Sequence, residues 1–160
     1  MKILFLHGLH AEPGFIVPTF LRAHGHEVVE PVLPPYRFEE SVRIAQEAIE
    51  QQQPDAIVGY SRGGAVAMNC QSGEIPMVLL APAWNWQGTA ATVKPGTIIL
   101  HSEHDDVVPL EHSRQLARKS KLPAANLVLV GEDHGMCDEE VLWALLKAIE
   151  NGGTVHGLER

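Results

Sequence analysis

The sequence predicts an α/β fold, a three-layer sandwich in which helices cover both faces of a six-stranded parallel sheet. Short runs rich in Val, Ile and Leu alternate with helical segments, a pattern typical of parallel strands buried on both faces. Right-handed crossovers with a single reversal of direction then give the strand order 2-1-3-4-5-6. No repeat, linker or low-complexity segment interrupts this pattern.

Six short apolar runs are the predicted strands. Each is bounded by glycine, proline or charged residues, which favour turns. Helical segments between them provide the long crossovers that parallel strands need. The predicted strands are Lys2–Leu6, His26–Leu33, Ala56–Gly59, Pro76–Ala81, Gly96–His101 and Asn126–Val130.

Five segments predict helices. In the second, Val42, Ala45 and Ile49 recur at helical spacing, with glutamates on the opposite side. Asp138 is the expected N-cap of the last helix, and Gly152 lies just beyond its end. The predicted helices are Phe15–Ala23, Phe38–Gln52, a helix from Ala65 onward, Pro109–Lys119 and Glu139–Glu150.

The composition predicts one globular domain. With 160 residues, 45% of them hydrophobic and 20% charged, the chain can bury a workable core. We assign the domain to residues 1–150 and expect residues 151–160 to form a loose tail.

The charge balance narrows the range of partners. The formal net charge is −8 and no basic run is longer than Arg118-Lys119, which argues against nucleic acid or an anionic membrane as partner. The apolar N-terminus stops at Leu6, too short for a signal peptide, and no apolar run reaches membrane-spanning length. Two cysteines, Cys70 and Cys137, are too few for a disulfide framework. We therefore expect a soluble cytoplasmic protein with reduced thiols.

The chain is organised around Gly59-Tyr60-Ser61-Arg62-Gly63, a G-x-S-x-G match between a predicted strand and a helix. In that motif a serine occupies a strained turn that flanking glycines make sterically possible, and the N-terminus of the helix points at its hydroxyl. A glycine-rich structural turn is the alternative interpretation. The strand before it and the helix after it favour Ser61 as a catalytic nucleophile.

The predicted strand order places the first and third strands side by side at the switch point, where ligands of such sheets bind. A tetrahedral oxyanion needs two N–H donors. We expect the backbone N–H of Arg62 to be one and that of Leu9, in the loop after the first strand, to be the other. Gly8 would allow the close approach.

A serine nucleophile needs a base and a carboxylate that orients it. The loops after the fifth and sixth strands, 102–109 and 131–136, supply Asp105 or Asp106 and then His134, in the chain order Ser, Asp, His. His134 follows the last strand and lies downstream of the acid. Five other histidines are expected at the surface, namely His24, His26, His101, His112 and His156.

The motifs LHG, LPPY, GYSRGG, APA, D-x-x-VP and GEDHGM together resemble the α/β-hydrolase superfamily, and more narrowly its small, lidless bacterial esterases. The resemblance extends from Lys2 to about Glu150. It implies Ser61 as nucleophile, His134 as base and Asp105 or Asp106 as acid. The acid of this family usually stands four residues before the proline of the VP pair, which favours Asp105.

The sequence departs from the family in several places. Ser102 replaces a glycine that often precedes the acid, and the usual first two strands and the cap after the fourth strand are missing. The resemblance therefore implies an open acyl pocket without a lid. Trp84, Trp86 and Met136 are the candidate residues to line that pocket, although core packing or a partner surface would equally account for the tryptophans.

We interpret the chain as a serine hydrolase of small carboxylic esters or thioesters, acting through an acyl-enzyme without metal or cofactor. Three alternatives remain open. A metal site could use Glu103, His104, Asp105 and Asp106. Cys137 could be a redox thiol near His134. The fold could also serve as a protein-binding module without catalysis. The sequence leaves the physiological substrate and the oligomeric state undecided.

Overall fold

Six parallel strands form the central sheet, in the order β2-β1-β3-β4-β5-β6. The computed structural model describes residues 1–10 and 15–152. Its strands are β1 (Lys2–Leu6), β2 (Glu27–Val29), β3 (Ala56–Tyr60), β4 (Met77–Leu80), β5 (Ile98–His101) and β6 (Leu127–Leu129). The predicted fold class and strand order are confirmed.

Five α-helices connect and cover these strands. They are α1 (Ile16–Ala23), α2 (Phe38–Gln52), α3 (Arg62–Met68), α4 (Leu110–Lys119) and α5 (Glu139–Glu150), with a 3₁₀ turn over Ala124–Asn126. The cap of α5 is as predicted, because the Asp138 side chain accepts a hydrogen bond from the Val141 N–H at 3.2 Å. The strand predicted over His26–Leu33 is shorter than expected. Pro31 has no N–H to donate, so the regular pairing ends at Val29.

Alternate side chains of each strand enter two separate cores. Ile3 of β1 packs in the core shared with Leu145 of α5, together with α1. Leu4, its neighbour in sequence, packs in the core shared with Ile49 of α2 and Leu116 of α4. Successive side chains of a strand point to opposite faces, so both faces of the sheet are covered and every strand can be apolar throughout.

The strand order places the carboxyl ends of β1 and β3 side by side. Leu6 of β1 is in register with Gly59 of β3, and the segments that follow them start at the same edge of the sheet. Residues 81–97, which join β4 to β5 at this edge, contain neither helix nor strand. The site is therefore bordered by irregular loops, as expected for a chain without a cap.

Two segments lie outside the described residues. They are residues 11–14, in the loop after β1, and residues 153–160, which hold most of the expected loose tail and His156. In the part of the chain that is described, none of the helices has both the length and the apolarity needed to cross a bilayer.

Backbone packing at the start of α3 leaves no room for side chains. A Cβ on Gly63 would stand 2.0 Å from the Leu6 carbonyl oxygen and 2.6 Å from that of His7. A Cβ on Gly59 would stand 2.7 Å from the Cα of Gly64. The small residues around Ser61 therefore let α3 cross directly over the ends of β1 and β3.

We expect Gly63→Ala to lower the free energy of unfolding by at least about 3 kcal/mol, because the new methyl group meets backbone that cannot move independently. Urea denaturation followed by circular dichroism measures this. Gly73→Ala is the matched control. The new methyl group at position 73 would enter open space. The backbone there has a φ of +53°, so the cost of this substitution is only that of placing alanine in the left-handed conformation, about 1–2 kcal/mol. Equal losses in the two variants would contradict the packing explanation.

Candidate active site

Ser61 occupies a strained turn between β3 and α3. Its φ is 52° and its ψ is −117°, outside the backbone regions that residues other than glycine usually adopt. The Ser61 N–H donates to the Leu80 carbonyl at 2.9 Å, and the Ser61 carbonyl accepts from the Ala83 N–H at 3.0 Å. Both bonds tie the turn to the end of β4, so the surrounding sheet maintains the strained conformation.

The structure brings Ser61, His134 and Asp105 together in one hydrogen-bonded line. Ser61 Oγ lies 2.9 Å from His134 Nε2, and His134 Nδ1 lies 2.7 Å from Asp105 Oδ2. A carboxylate only accepts hydrogen bonds, so Nδ1 carries the proton. Nε2 of a neutral His134 is then free to accept the hydroxyl proton of Ser61. A nucleophile and its base need this arrangement.

Asp105, rather than Asp106, is the carboxylate on His134. Its second oxygen, Oδ1, accepts from the N–H groups of Val107 and Val108, each at 2.8 Å. Burial alone would raise the pKa of Asp105, but the hydrogen bonds from His134 and from these two N–H groups outweigh it, and the pKa lies below its ordinary value. Asp106 is exposed to solvent. Asp105 therefore remains ionised at neutral pH.

Tyr60 holds the loop that carries His134, a role that we did not predict. Its hydroxyl donates to the His134 carbonyl oxygen at 2.8 Å, and the two rings lie 5.5 Å apart. Burial, followed by the charges of Asp105, Cys137 and Asp133, raises the pKa of Tyr60 to about 12. The hydroxyl therefore keeps its proton at neutral pH. A Cβ on Gly8 would stand 3.1 Å from the tyrosine ring, which explains the glycine there.

Leu9 and Arg62, the residues predicted to supply the oxyanion donors, line the same cavity as Ser61. Arg62 is the first residue of α3, so its N–H has no partner within the helix. At Leu9, the orientation of the N–H follows from His7. His7 Nε2 accepts from the Leu33 N–H at 3.0 Å, so Nδ1 carries the proton and donates to the Gly8 carbonyl at 2.6 Å. In a trans peptide the Leu9 N–H then points away from His7.

The Arg62 side chain is part of the scaffold. It is buried, and its guanidinium donates to the Pro34 carbonyl at 3.0 Å, to Ser41 Oγ at 3.2 Å and to Gln87 Oε1 at 3.1 Å. These bonds connect the start of α3 to α2 and to the loops after β2 and β4. The Arg62 side chain is therefore held from three directions.

A cavity of about 770 Å³ lies against Ser61, a volume typical of small-molecule sites. Beyond the cavity, Asn69 holds the loop after β4, because its Oδ1 accepts from the N–H groups of Thr89 and Ala90, each at 3.1 Å. The described residues that line the cavity are Gly8, Leu9, His10, Phe15, Tyr60, Ser61, Arg62, Ala83, Trp86, Gln87, Val107 and His134.

Of the three predicted pocket residues, only Trp86 lines this cavity, with 52% of its surface exposed. The prediction was wrong for Trp84 and Met136. Trp84 packs in the core beneath α2 and α4, and its indole N–H donates to the His112 carbonyl at 2.8 Å. Met136 is fully buried against α5, and its φ of 48° marks a sharp turn directly after the His134 loop.

His101 also differs from its prediction. We expected a surface histidine, but it is fully buried at the end of β5. Its Nε2 lies 3.1 Å from Asp105 Oδ2, and its Nδ1 lies 2.6 Å from Ser113 Oγ. The predicted strand Gly96–His101 already ended at this residue, so the burial of parallel strands on both faces was the signal that could have indicated a buried histidine.

Two alternative interpretations, a metal site and a redox-active Cys137, lose support at this site. Within residues 1–10 and 15–152, no group of three or more His, Cys, Asp or Glu side chains is arranged to hold a metal ion. Burial, together with the charges of Asp133 and Asp138, raises the pKa of the Cys137 thiol. A raised pKa is the opposite of what activates a redox thiol.

No protein-family model and no curated protein matches the sequence. Solved structures do match its fold. One is α/β hydrolase domain-containing protein 10 from mouse, with 14% identity and a TM-score of 0.72 over 94% of this chain and 88% of the mouse chain.

Two further solved structures match the fold of this chain. MGS-MChE2, an α/β hydrolase enzyme from the metagenome of lagoon sediments of Mar Chica, Morocco, has 16% identity and a TM-score of 0.71 over 94% of this chain and 90% of its own. The esterase domain of a Rhodothermus marinus protein has 16% identity and a TM-score of 0.63 over 93% and 86%. The chain therefore has the fold of the α/β-hydrolase superfamily, in a form whose β4–β5 connection contains neither helix nor strand.

Proposed function

We propose that the protein is a serine hydrolase that cleaves small carboxylic esters or thioesters through an acyl-enzyme. The observation that carries the proposal is the hydrogen-bonded line Ser61–His134–Asp105, with distances of 2.9 and 2.7 Å, at the wall of a cavity. This line supplies a nucleophile, a base and an ionised carboxylate in the spatial order that the reaction requires. Esterase activity is also named for the Rhodothermus marinus domain of similar fold.

In the first half-reaction, Ser61 Oγ attacks the substrate carbonyl carbon and its proton passes to His134 Nε2. The carbonyl π electrons move to the oxygen, which becomes an oxyanion. The ionised Asp105 stabilises the imidazolium of His134. When the oxyanion collapses, the alcohol or thiol leaves with the proton from His134, and the acyl group stays on Ser61.

In the second half-reaction, His134 accepts a proton from water while the water oxygen attacks the acyl carbon. Collapse of the second tetrahedral intermediate returns the proton to Ser61 Oγ and releases the carboxylic acid. The N–H groups of Leu9 and Arg62 would stabilise both oxyanions. Fixed donors act strongly in such a site because they need no reorganisation when the charge forms.

The cavity walls favour an apolar acyl or alcohol group. Phe15, Trp86 and Val107 line the cavity and are each about half exposed, so they offer apolar surface to a ligand. Burying one methylene of the substrate lowers the free energy of the bound state by about 0.8 kcal/mol, which corresponds to roughly a fourfold gain in kcat/KM. The net charge of −8 agrees with a small uncharged substrate rather than a nucleic acid.

A binding module with a hydrolase-like fold is the competing hypothesis. It would not require the strained Ser61 turn or the ionised Asp105 on His134. Labelling with a fluorophosphonate, which reacts with activated serines, separates the two hypotheses in one experiment. We expect stoichiometric labelling of the wild-type protein at Ser61.

We expect Ser61→Ala to lower kcat for p-nitrophenyl acetate on the order of 10⁴-fold or more, because the triad acts as a unit. Fluorophosphonate labelling should disappear as well. Circular dichroism and the thermal midpoint provide the control, since the fold should persist. Undiminished turnover in the folded variant would refute the assignment of Ser61.

The two neighbouring aspartates give a matched pair of variants. Asp105→Asn should lower kcat on the order of 10³–10⁴-fold, because the amide permits the wrong tautomer of His134. Asp106→Asn should leave kcat within about twofold, because Asp106 is an exposed residue and such substitutions rarely matter. Steady-state kinetics at pH 7 on both variants measures the ranking. A larger loss in Asp106→Asn would transfer the role to that residue.

Trp86→Ala should lower kcat/KM for p-nitrophenyl hexanoate more than for the acetate. The loss of the indole removes apolar contact from the longer chain, and we expect the hexanoate-to-acetate ratio to fall about fourfold or more. Trp143→Ala is the control, because Trp143 is 45% exposed and packs on Phe20 of α1 and on His24 directly after it, away from the cavity. Equal losses for both esters in Trp86→Ala would show that Trp86 does not contact the acyl chain.

A further inference from the structure

The Asp105 carboxylate contacts two histidines. Oδ2 is 2.7 Å from His134 Nδ1 and 3.1 Å from His101 Nε2. The proposed mechanism uses His134 alone. His101 is fully buried, as are the side chain of Asp105 and Ser113 of α4, which contacts the other nitrogen of His101. Two buried polar side chains, those of His101 and Ser113, thus lie behind the proposed triad.

The contacts of His101 determine its tautomer. Nε2 faces two acceptors, Asp105 Oδ2 at 3.1 Å and the Val108 carbonyl at 2.9 Å. Neither of them can donate, so Nε2 must carry the proton. Nδ1 then accepts from the Ser113 hydroxyl at 2.6 Å. With the proton on Nδ1 instead, three lone pairs would meet in a buried space, which is strongly unfavourable.

The charge state of His101 follows from its surroundings. Burial lowers its pKa, and the contacts with Val108 and Asp105 oppose that shift without cancelling it, while the charge of His134 lowers the pKa further. His101 is therefore neutral at neutral pH. It is a fixed hydrogen-bond donor whose one Nε2–H is shared between the Asp105 carboxylate and the Val108 carbonyl, and not a second counter-charge.

We propose that His101 is a positioning residue for the triad, holding Asp105 Oδ2 where it accepts the proton of His134 Nδ1. The proposal rests on the proposed hydrolase function. A carboxylate oxygen has two lone pairs, and at Oδ2 they are used by His134 and His101. Oδ1 is held by the N–H groups of Val107 and Val108, so His101 supplies the fourth bond that fixes the carboxylate.

The position of His101 explains why a loop residue can be placed so accurately. Asp105 lies on an irregular turn, whereas His101 is the last residue of β5 and Ser113 lies in α4. The hydrogen bonds through His101 therefore connect the Asp105 carboxylate to a strand and a helix. Groups held by regular elements keep tighter geometry than groups held only within a loop.

Three variants test the proposal. His101→Leu keeps the volume but removes the donor, and His101→Gln restores an N–H near the position of Nε2. Asn126→Leu is the matched control, because it removes a buried amide that donates to Thr97 at the opposite edge of the sheet. Active sites are counted by fluorophosphonate titration, so kcat refers to folded, reactive protein only.

We expect His101→Leu to lower kcat per active site by roughly 10- to 100-fold, as for other outer-shell partners of a functional group, with KM changed less than about twofold. His101→Gln should recover most of that loss, and Asn126→Leu should retain the wild-type kcat. Wild-type kcat per active site in His101→Leu would overturn the proposal. So would a kcat in His101→Gln as low as in His101→Leu.

A second measurement does not depend on activity. Nitrogen-15 NMR of the histidine rings in the wild-type protein should show His101 protonated at Nε2 only, and Asp105→Asn should shift that signal. A proton at Nδ1 would overturn the proposal even if the esterase assays succeed. Conversely, failure of wild-type protein to hydrolyse esters or to react with fluorophosphonate would refute the hydrolase function, while the NMR result still decides the hydrogen bond.

Discussion

The close approach of backbone at Gly63 is the constraint on which the site depends. The start of α3 lies against the carbonyl groups of Leu6 and His7, so the helix crosses the sheet without intervening side chains. That crossing forces the chain to turn sharply at Ser61, whose φ is 52°. The strain at the serine is therefore maintained by sheet packing, and the serine hydroxyl is presented at the switch point of the strand order.

Buried polar groups along the same edge connect the loops to one another. His7 joins the loop after β1 to Leu33, and Ser102 Oγ donates to the Gly131 carbonyl at 2.8 Å, which joins the loops after β5 and β6. A buried polar group without a partner is costly, so each of these bonds favours a single loop arrangement. The edge of the sheet that carries the reactive groups is thus cross-linked by hydrogen bonds in addition to apolar packing.

Regular structure was predictable from the sequence because helices have a hydrophobic period and buried parallel strands form short continuous apolar runs. The strand order and the bounds of α5 follow from apolar runs and from capping at Asp138. Irregular loops have no period, so the sequence could not show that Trp86 faces the cavity while Trp84, two residues earlier, packs in the core. Burial of Met136 depends on a left-handed turn, which leaves no signal in the composition, whereas His101 was predicted as the end of a strand and its burial could have been inferred.

The connection between β4 and β5 has two parts with different freedom. The later part is held by Asn69, whose Oδ1 accepts from the N–H groups of Thr89 and Ala90. Trp86, a few residues earlier, is half exposed and lines the cavity. Substitution of Trp86 itself would leave the Asn69 anchor and the sheet undisturbed, whereas Gln87, which accepts from Arg62, and Gly88, which packs on Asn69, have to be kept. Substrate preference can therefore diverge among descendants of this chain, or be engineered, by substituting one loop residue while Ser61, His134 and Asp105 stay where they are.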